Sequence, residues 1–183
     1  MAKKSKLKHI GDLRVTKANA AEFALLVEVT GDLYIRSDVK LEALTSAGGA
    51  LYIWSGVKLE APALTSVGGA LDIRSDVKLE ALTSAGGYKL PAPDVAAARV
   101  RDVAEAALLV PSALDMSDWH KCATTHCMAG WGIHLAGPEG YKLEKAVGPA
   151  TAGAILLGLE AARMFHATTA DARAWLKAKL AAG

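Results

Sequence analysis

The chain has 183 residues, 52% of them hydrophobic, and a formal charge of +2. That length allows one or two small domains with substantial cores, and so small a charge does not by itself argue for nucleic acid. No apolar run reaches the length of a membrane span and the N-terminus lacks a signal-peptide core, so a soluble, cytoplasmic protein without membrane association is expected.

Residues 1–8 carry Lys3, Lys4, Lys6 and Lys8, which read either as a basic arm for an acidic partner or as a solvated terminus. Residues 9–30 form a worn copy of a repeat that is clear from Gly31 to Gly87. Gly11-Asp12-Leu13-Arg14-Val15 matches Gly31-Asp32-Leu33-Tyr34-Ile35, and a divergent terminal copy is expected of a cap with one unpartnered face. The three clear copies start their strands at Leu33, Leu51 and Leu71, in steps of 18 and 20 residues. The longer step is assigned to two extra residues at Ala61-Pro62-Ala63.

Each copy is too short to bury its own apolar side chains, so the copies must stack on a shared core. Leu33 and Ile35 alternate with Tyr34 and Arg36, and Val39 and Leu41 alternate with Lys40 and Glu42, which is the period of half-buried strands. Ser37-Asp38, Ser55-Gly56 and Ser75-Asp76 supply turns. Gly48-Gly49, Gly68-Gly69 and Gly86-Gly87 are placed where the backbone needs angles other residues resist. Near-identical copies favour in-register parallel stacking over an antiparallel meander, because a meander would reverse alternate copies. A short parallel β-solenoid is therefore predicted.

Stacking aligns Arg14, Tyr34, Tyr52 and Asp72 in one outward column and Thr16, Arg36, Trp54 and Arg74 in the next. Tyr, Trp and Arg dominate interaction hot spots because they combine large area with polar handles. Tyr34, Arg36, Tyr52, Trp54 and Arg74 are thus the candidate binding surface; the competing reading makes Trp54 interdomain core. Lys40, Lys58 and Lys78 are expected to stack beside Glu42, Glu60 and Glu80 as a solvated lattice. The pairs Thr45-Ser46, Thr65-Ser66 and Thr83-Ser84 form a hydroxyl ladder, read as turn caps rather than as an ice-ordering array.

The pattern L-x-I-x-S/G-x-x-x-L-E-A-x-x-L-T-S-V-G-G resembles bacterial leucine-rich solenoid repeats related to receptor L-domains, over residues 11–90. That resemblance implies a recognition scaffold and brings no catalytic residues.

Pro91-Ala92-Pro93 ends the repeats and marks a boundary between a solenoid domain, 9–90, and a helical domain, 94–183. Asp94 is the expected N-cap of a helix with an apolar stripe at Val95, Val103, Ala106 and Leu109-Val110, suited to covering the last rung. Thr124 or Thr125 is expected to cap a helix running through Trp131 to Leu135, followed by a turn at Gly137-Pro138-Glu139-Gly140. The segment TAGAILLGLEAARMF reads as helix. Thr168 with Asp171 starts a last helix that packs through Trp175, Leu176 and Leu180.

Both cysteines and three of the five histidines fall within LDMSDWHKCATTHCMAGWGIHLAG. His120, Cys122, His126 and Cys127 are ligand types that zinc favours, although their spacing is poor and no second Cys-x-x-Cys pair closes a site. A thiol at a helix N-terminus with a nearby His is a candidate nucleophile. A Cys122–Cys127 disulfide would close a small loop, and Cys127 with Trp131 also reads as plain core. The string C-A-T-T-H-C-M-A-G-W, with LAG and LGLE…MF, resembles a small helical module of bacterial and phage proteins, over residues 114–166. Ala123 stands where that module usually has Gly, and the resemblance assigns no activity.

The resulting expectation is an α+β protein: a leucine-rich-like parallel β-solenoid followed by an α-helical domain, non-catalytic, without cofactor or metal. Its expected function is binding a protein partner through the Tyr/Trp/Arg columns. A specific variant is a phage-encoded inhibitor of a bacterial defence nuclease, of the anti-CRISPR type. The alternatives are a metalloprotein or thiol enzyme centred on His120–Cys127, and a nucleic-acid binder using Lys3–Lys8 with Arg36 and Arg74.

Overall fold

A computed structural model describes residues 7–182. Of the basic arm, Lys3, Lys4 and Lys6 lie outside the described residues, while Lys8 pairs with Glu28 at 2.9 Å. The chain divides into two compact units between Lys89 and Leu90.

The first unit is a parallel β-solenoid of about four turns. Its cap turn comprises β1 (Leu7–His9), β2 (Leu13–Val15) and β3 (Leu26–Val29). The following turns comprise β4 (Leu33–Ile35), β5 (Val39–Lys40) and β6 (Ser46–Ala47), then β7 (Leu51–Ile53), β8 (Leu59–Glu60) and β9 (Ser66–Val67). The last holds β10 (Leu71–Ile73), β11 (Val77–Lys78) and β12 (Ser84–Ala85), and β13 (Tyr88–Lys89) follows it. Three walls result, in the orders β10-β7-β4-β2, β11-β8-β5 and β1-β3-β6-β9-β12-β13. All pairings are parallel except β12 with β13, which turns antiparallel and ends the third wall.

The stacked turns share one core. Leu33, Ile35, Leu51, Ile53 and Leu71 are all buried, as are Leu41, Leu44, Leu59 and Leu64 on the other walls. Each such side chain contributes about 1.5–3 kcal/mol on leaving water, which no single turn can collect alone. In the cap, a 3₁₀ turn at Ala20–Phe23 takes the place of a second-wall strand and buries Phe23. Asn19 closes the outer edge of β2: its amide nitrogen donates to the Arg14 carbonyl (2.9 Å) and its oxygen accepts from the Thr16 amide (2.7 Å).

Two expectations about the repeat are corrected. The two extra residues of the longer copy sit in the corner Ser55–Lys58, before β8, not at Ala61–Ala63. Val39 and Val77 both pair with Leu59, and Lys40 and Lys78 both pair with Glu60. The Lys40–Glu60–Lys78 column therefore alternates in sign, with Lys40–Glu60 at 3.7 Å and Lys78–Glu60 at 3.0 Å. Like charges directly opposite are destabilising, opposite charges are not, and the corner slack lets Val57 and Leu59 both turn inward. Gly56 takes up that slack with φ +76°.

The second correction concerns Gly48, Gly49, Gly68 and Gly69, none of which has positive φ. Space selects them. A Cβ at Gly49 would run into the Asp32 carboxylate, and one at Gly69 would lie 2.8 Å from the Ala50 amide nitrogen. The hydroxyl ladder is structural: Thr45 Oγ1 donates to the Val27 carbonyl, Thr65 to that of Thr45 and Thr83 to that of Thr65, at 3.0–3.2 Å.

The second unit holds α1 (Pro93–Leu108), a hairpin of β14 (His120–Cys122) and β15 (Thr125–His126), then α2 (Met128–Leu135), α3 (Gly137–Val147), α4 (Pro149–Ala162) and α5 (Thr169–Ala181). Ala92, not Asp94, is the N-cap of α1, since Pro93 fits the first helical position and Asp94 falls in the first turn. Its buried face is Val100, Val103, Ala104 and Ala107, while Val95, Leu109 and Val110 are exposed. The expected turn at Gly137–Gly140 is instead the start of α3, with Pro138 in its first turn. Thr168 caps α5 by accepting from the Asp171 amide at 3.1 Å, and Leu176 is buried, whereas Leu180 is exposed.

The centre of this unit is α2, buried from Met128 to Ile133. Small residues let α4 approach it: a Cβ at Gly132 would be 2.9 Å from the Leu157 side chain, and one at Gly153 would be 2.6 Å from Ala129 Cβ. At Gly158 (φ +81°) the backbone of α4 leaves helical geometry. Among the described residues, no helix is long and apolar enough to cross a membrane.

Candidate functional site

The solenoid ladder sets the outward columns by backbone register. Arg14, Tyr34, Tyr52 and Asp72 are consecutive ladder partners. Two residues on, the amides of Arg36, Trp54 and Arg74 donate to Val15, Ile35 and Ile53 of the turn before, at 2.9, 3.0 and 3.1 Å. The structure therefore brings all five candidate binding residues onto one wall.

These side chains hold one another. The Arg14 guanidinium lies 5.3 Å from the Tyr34 ring centre, and Tyr34 stacks on Tyr52 at 5.2 Å and 14°. The Tyr34 hydroxyl donates to Asp32 at 3.0 Å, and that carboxylate holds its pKa above the ordinary phenol value. Arg36 covers a face of Trp54 at 4.3 Å, and Arg74 pairs with Asp72 at 2.8 Å. Trp54 remains 40% exposed. The wall is thus a surface of aromatic and cationic side chains that contact one another.

The Cys/His cluster of the second unit separates into two kinds of residue. Thr125 and His126 lie in β15, so neither Thr124 nor Thr125 caps α2. The cap is Cys127, whose Sγ accepts from the Gly130 amide at 3.3 Å. Burial pushes the Cys127 thiol up to about 11. Cys122 is exposed at the hairpin turn, and hydrogen bonds from Thr125 and Thr124 lower it to about 7. Both cysteines are free.

His120 and His126, by contrast, face each other across the hairpin with Nδ1–Nδ1 at 3.0 Å. The far nitrogen of His120 reaches both Glu144 oxygens, at 3.1 and 3.2 Å. His126 is 2% exposed, stacks on His134 at 4.7 Å and meets the Trp131 ring edge-on at 4.8 Å. His134 Nδ1 lies 2.8 Å from the Tyr141 hydroxyl. The Nε2 of His126 is buried with no hydrogen-bond partner among the described residues. Burial, then the neighbouring His134, holds His126 below the ordinary imidazole range.

Of His120, Cys122, His126 and Cys127, only the two histidines are brought into mutual contact. Both ring nitrogens of His120 are engaged, and among the described residues no three His, Cys, Asp or Glu side chains are placed to hold a metal ion. What the cluster can do is carry and redistribute protons. Sequence reasoning missed Glu144 and Tyr141. They lie three residues apart on one face of α3, a spacing that the expected turn at Gly137–Gly140 conceals. A separate cavity of about 370 Å³ between α1, α2 and α4 is lined by Arg99, Asp102 and Leu157 among others, and none of the histidines reaches it.

Comparison with protein-family models, with curated proteins and with experimentally determined structures found no match.

Proposed function

We propose that the protein is a non-catalytic recognition module whose solenoid wall binds a protein partner bearing acidic side chains. The observation that carries this is the half-exposed Trp54 held under Arg36 on a hydrogen-bonded wall. Arg14 and Arg36 add positive charge to the same face, and Arg74 lies beside them, paired to Asp72. A tryptophan with an arginine on one face still offers its edge and a polar handle to a partner, and such pairs are favoured at binding hot spots. The likeness to leucine-rich recognition scaffolds supports the same reading. A phage-encoded inhibitor of a bacterial defence nuclease is one specific form of it, with the nuclease as the acidic partner.

The test is affinity capture from a bacterial lysate with wild type and Trp54→Ala, followed by binding of the purified partner. If Trp54 is a hot spot, its truncation costs about 2 kcal/mol or more, a loss of about thirtyfold in Kd, with the circular dichroism unchanged. Equal binding by a folded Trp54→Ala variant overturns the assignment of this face. Capture of nucleic acid with a steep salt dependence would replace the protein partner with a polyanion.

A further inference from the structure

Two imidazole nitrogens 3.0 Å apart can hold one proton between them and no more, because one must donate and the other accept. Glu144, an acceptor when ionised, fixes the proton on His120 Nε2. In the neutral pair, His120 Nδ1 is then bare and accepts from His126 Nδ1–H. That leaves His126 Nε2 as a bare lone pair, in agreement with a buried atom that has no hydrogen-bond partner among the described residues.

We propose that His120 and His126 form a proton-operated latch on residues 113–127, closed while at most one extra proton is present and forced open by a second. With one proton added to the pair, an N–H on His120 Nδ1 leaves its Nε2–H on Glu144. His126 moves its own proton from Nδ1 to Nε2, so the contact survives with its donor reversed. A second added proton puts N–H on both facing nitrogens. The rings must then part.

The surroundings sharpen this response. From α3, Glu144 and the Tyr141 ring face His120, the ring at 5.5 Å. From α2, His134 stacks on His126, so a charge on one disfavours a charge on the other. In the segment before and within the hairpin, Asp115 is tied to Lys121 and Ser117, while Asp118, Cys122 and Cys127 make no hydrogen bond to either ring among those described. The backbone of His126 links the latch to the chain: its amide donates to Ala113 (3.2 Å) and its carbonyl accepts from Asp115 (3.1 Å). Parting the rings therefore loosens the 113–115 segment together with the hairpin.

The sign follows from linkage. A histidine held below its ordinary value when closed binds protons more tightly when open, so the closed form loses ground as pH falls below about 6.5. One excess proton bound by the open form gives tenfold per pH unit, or about thirtyfold between pH 6.5 and 5.0.

Amide hydrogen exchange of the full chain, read by mass spectrometry on peptides covering 113–127 and corrected for intrinsic rates, tests the latch. Protection in wild type should fall about thirtyfold between pH 7.5 and 5.0, and His120→Gln should abolish most of that dependence. Imidazole ¹⁵N resonances of the wild type give an independent measurement that needs no variant. Unchanged protection down to pH 5.0, or two imidazolium rings coexisting with full protection, overturns the proposal. So does the same thirtyfold fall in a folded His120→Gln.

Discussion

Gly68→Ala separates two reasons for a glycine in a solenoid. Gly68 has no positive φ, so the backbone alone would accept alanine. Its added Cβ, however, would collide with the Gly48 carbonyl oxygen and lie 2.9 Å from the Gly48 carbonyl carbon, where ordinary contact begins at 3.4 Å. The turns cannot spread freely to make room, because Gly68 N–Ala47 O and Gly69 N–Gly49 O hydrogen bonds of 2.8 Å pin them together. Relief by breaking both bonds costs about 0.5–1.5 kcal/mol each, and relief by overpacking costs about 1–3 kcal/mol. A loss of about 1–3 kcal/mol is expected, which lowers amide protection across residues 44–70 by about 5- to 160-fold. Gly56→Ala is the control. Gly56 has φ +76° and open space around its Cβ position, so it should lose only about 1 kcal/mol, or about fivefold in protection. Gly68→Ala proving no costlier than Gly56→Ala would refute close turn-to-turn approach as the reason for the glycine pairs.

Two further outcomes follow from the geometry. Alkylation of Cys122 should be half-maximal near its lowered value of about 7, with Thr125→Val moving the midpoint upward, while Cys127, buried and near 11, stays unreactive until the chain unfolds; two thiols reacting at one rate would contradict this. Glu60→Lys should lower the melting temperature at low salt, with partial recovery at 1 M salt, because it stacks lysine between Lys40 and Lys78. Lys78 and then Lys40 hold the Glu60 carboxyl below its ordinary value, so the stabilisation is present above about pH 4.5 and disappears as pH falls through the folded value. If Lys58→Glu stabilised the protein while Glu60→Lys left it unchanged, the column would instead be Lys40, Lys58 and Lys78.

The solenoid was largely legible because its sequence contains its own alignment. Three copies of L-x-I, stacked in parallel, dictate which side chains are neighbours, and the Arg14–Tyr34–Tyr52–Asp72 column follows without any knowledge of distances. Where the copies differ in length the alignment loses its authority. The eye places the extra residues at Pro62, the one visible oddity, whereas the chain places them at Gly56, where a left-handed residue can turn the corner. Alternating charge then falls out of the shift: Lys40 and Lys78 gain Glu60 between them. Gly86 and Gly87 take the positive φ expected of them, whereas the Gly48-Gly49 and Gly68-Gly69 pairs show a different limit. Their presence was plain, but their cause lies in the atoms of the neighbouring turn, which the sequence of one turn does not contain.

The histidine cluster had no such internal copy to read. His120 and His126 come together because a hairpin reverses the chain at Ala123-Thr124, and Glu144 arrives from α3, on the far side of α2 in sequence. Spacing within CATTHC suggested ligands on one short segment. The hairpin instead points Cys122 outward, gives Cys127 to the start of α2 as its N-cap, and brings the two imidazoles face to face. A metal site asks several donors to converge on one point, and here the donors are spent in a line from Glu144 through His120 to His126. A line of that kind ends in an atom with nothing to bond. In this chain it ends at His126 Nε2, buried against Trp131 and His134.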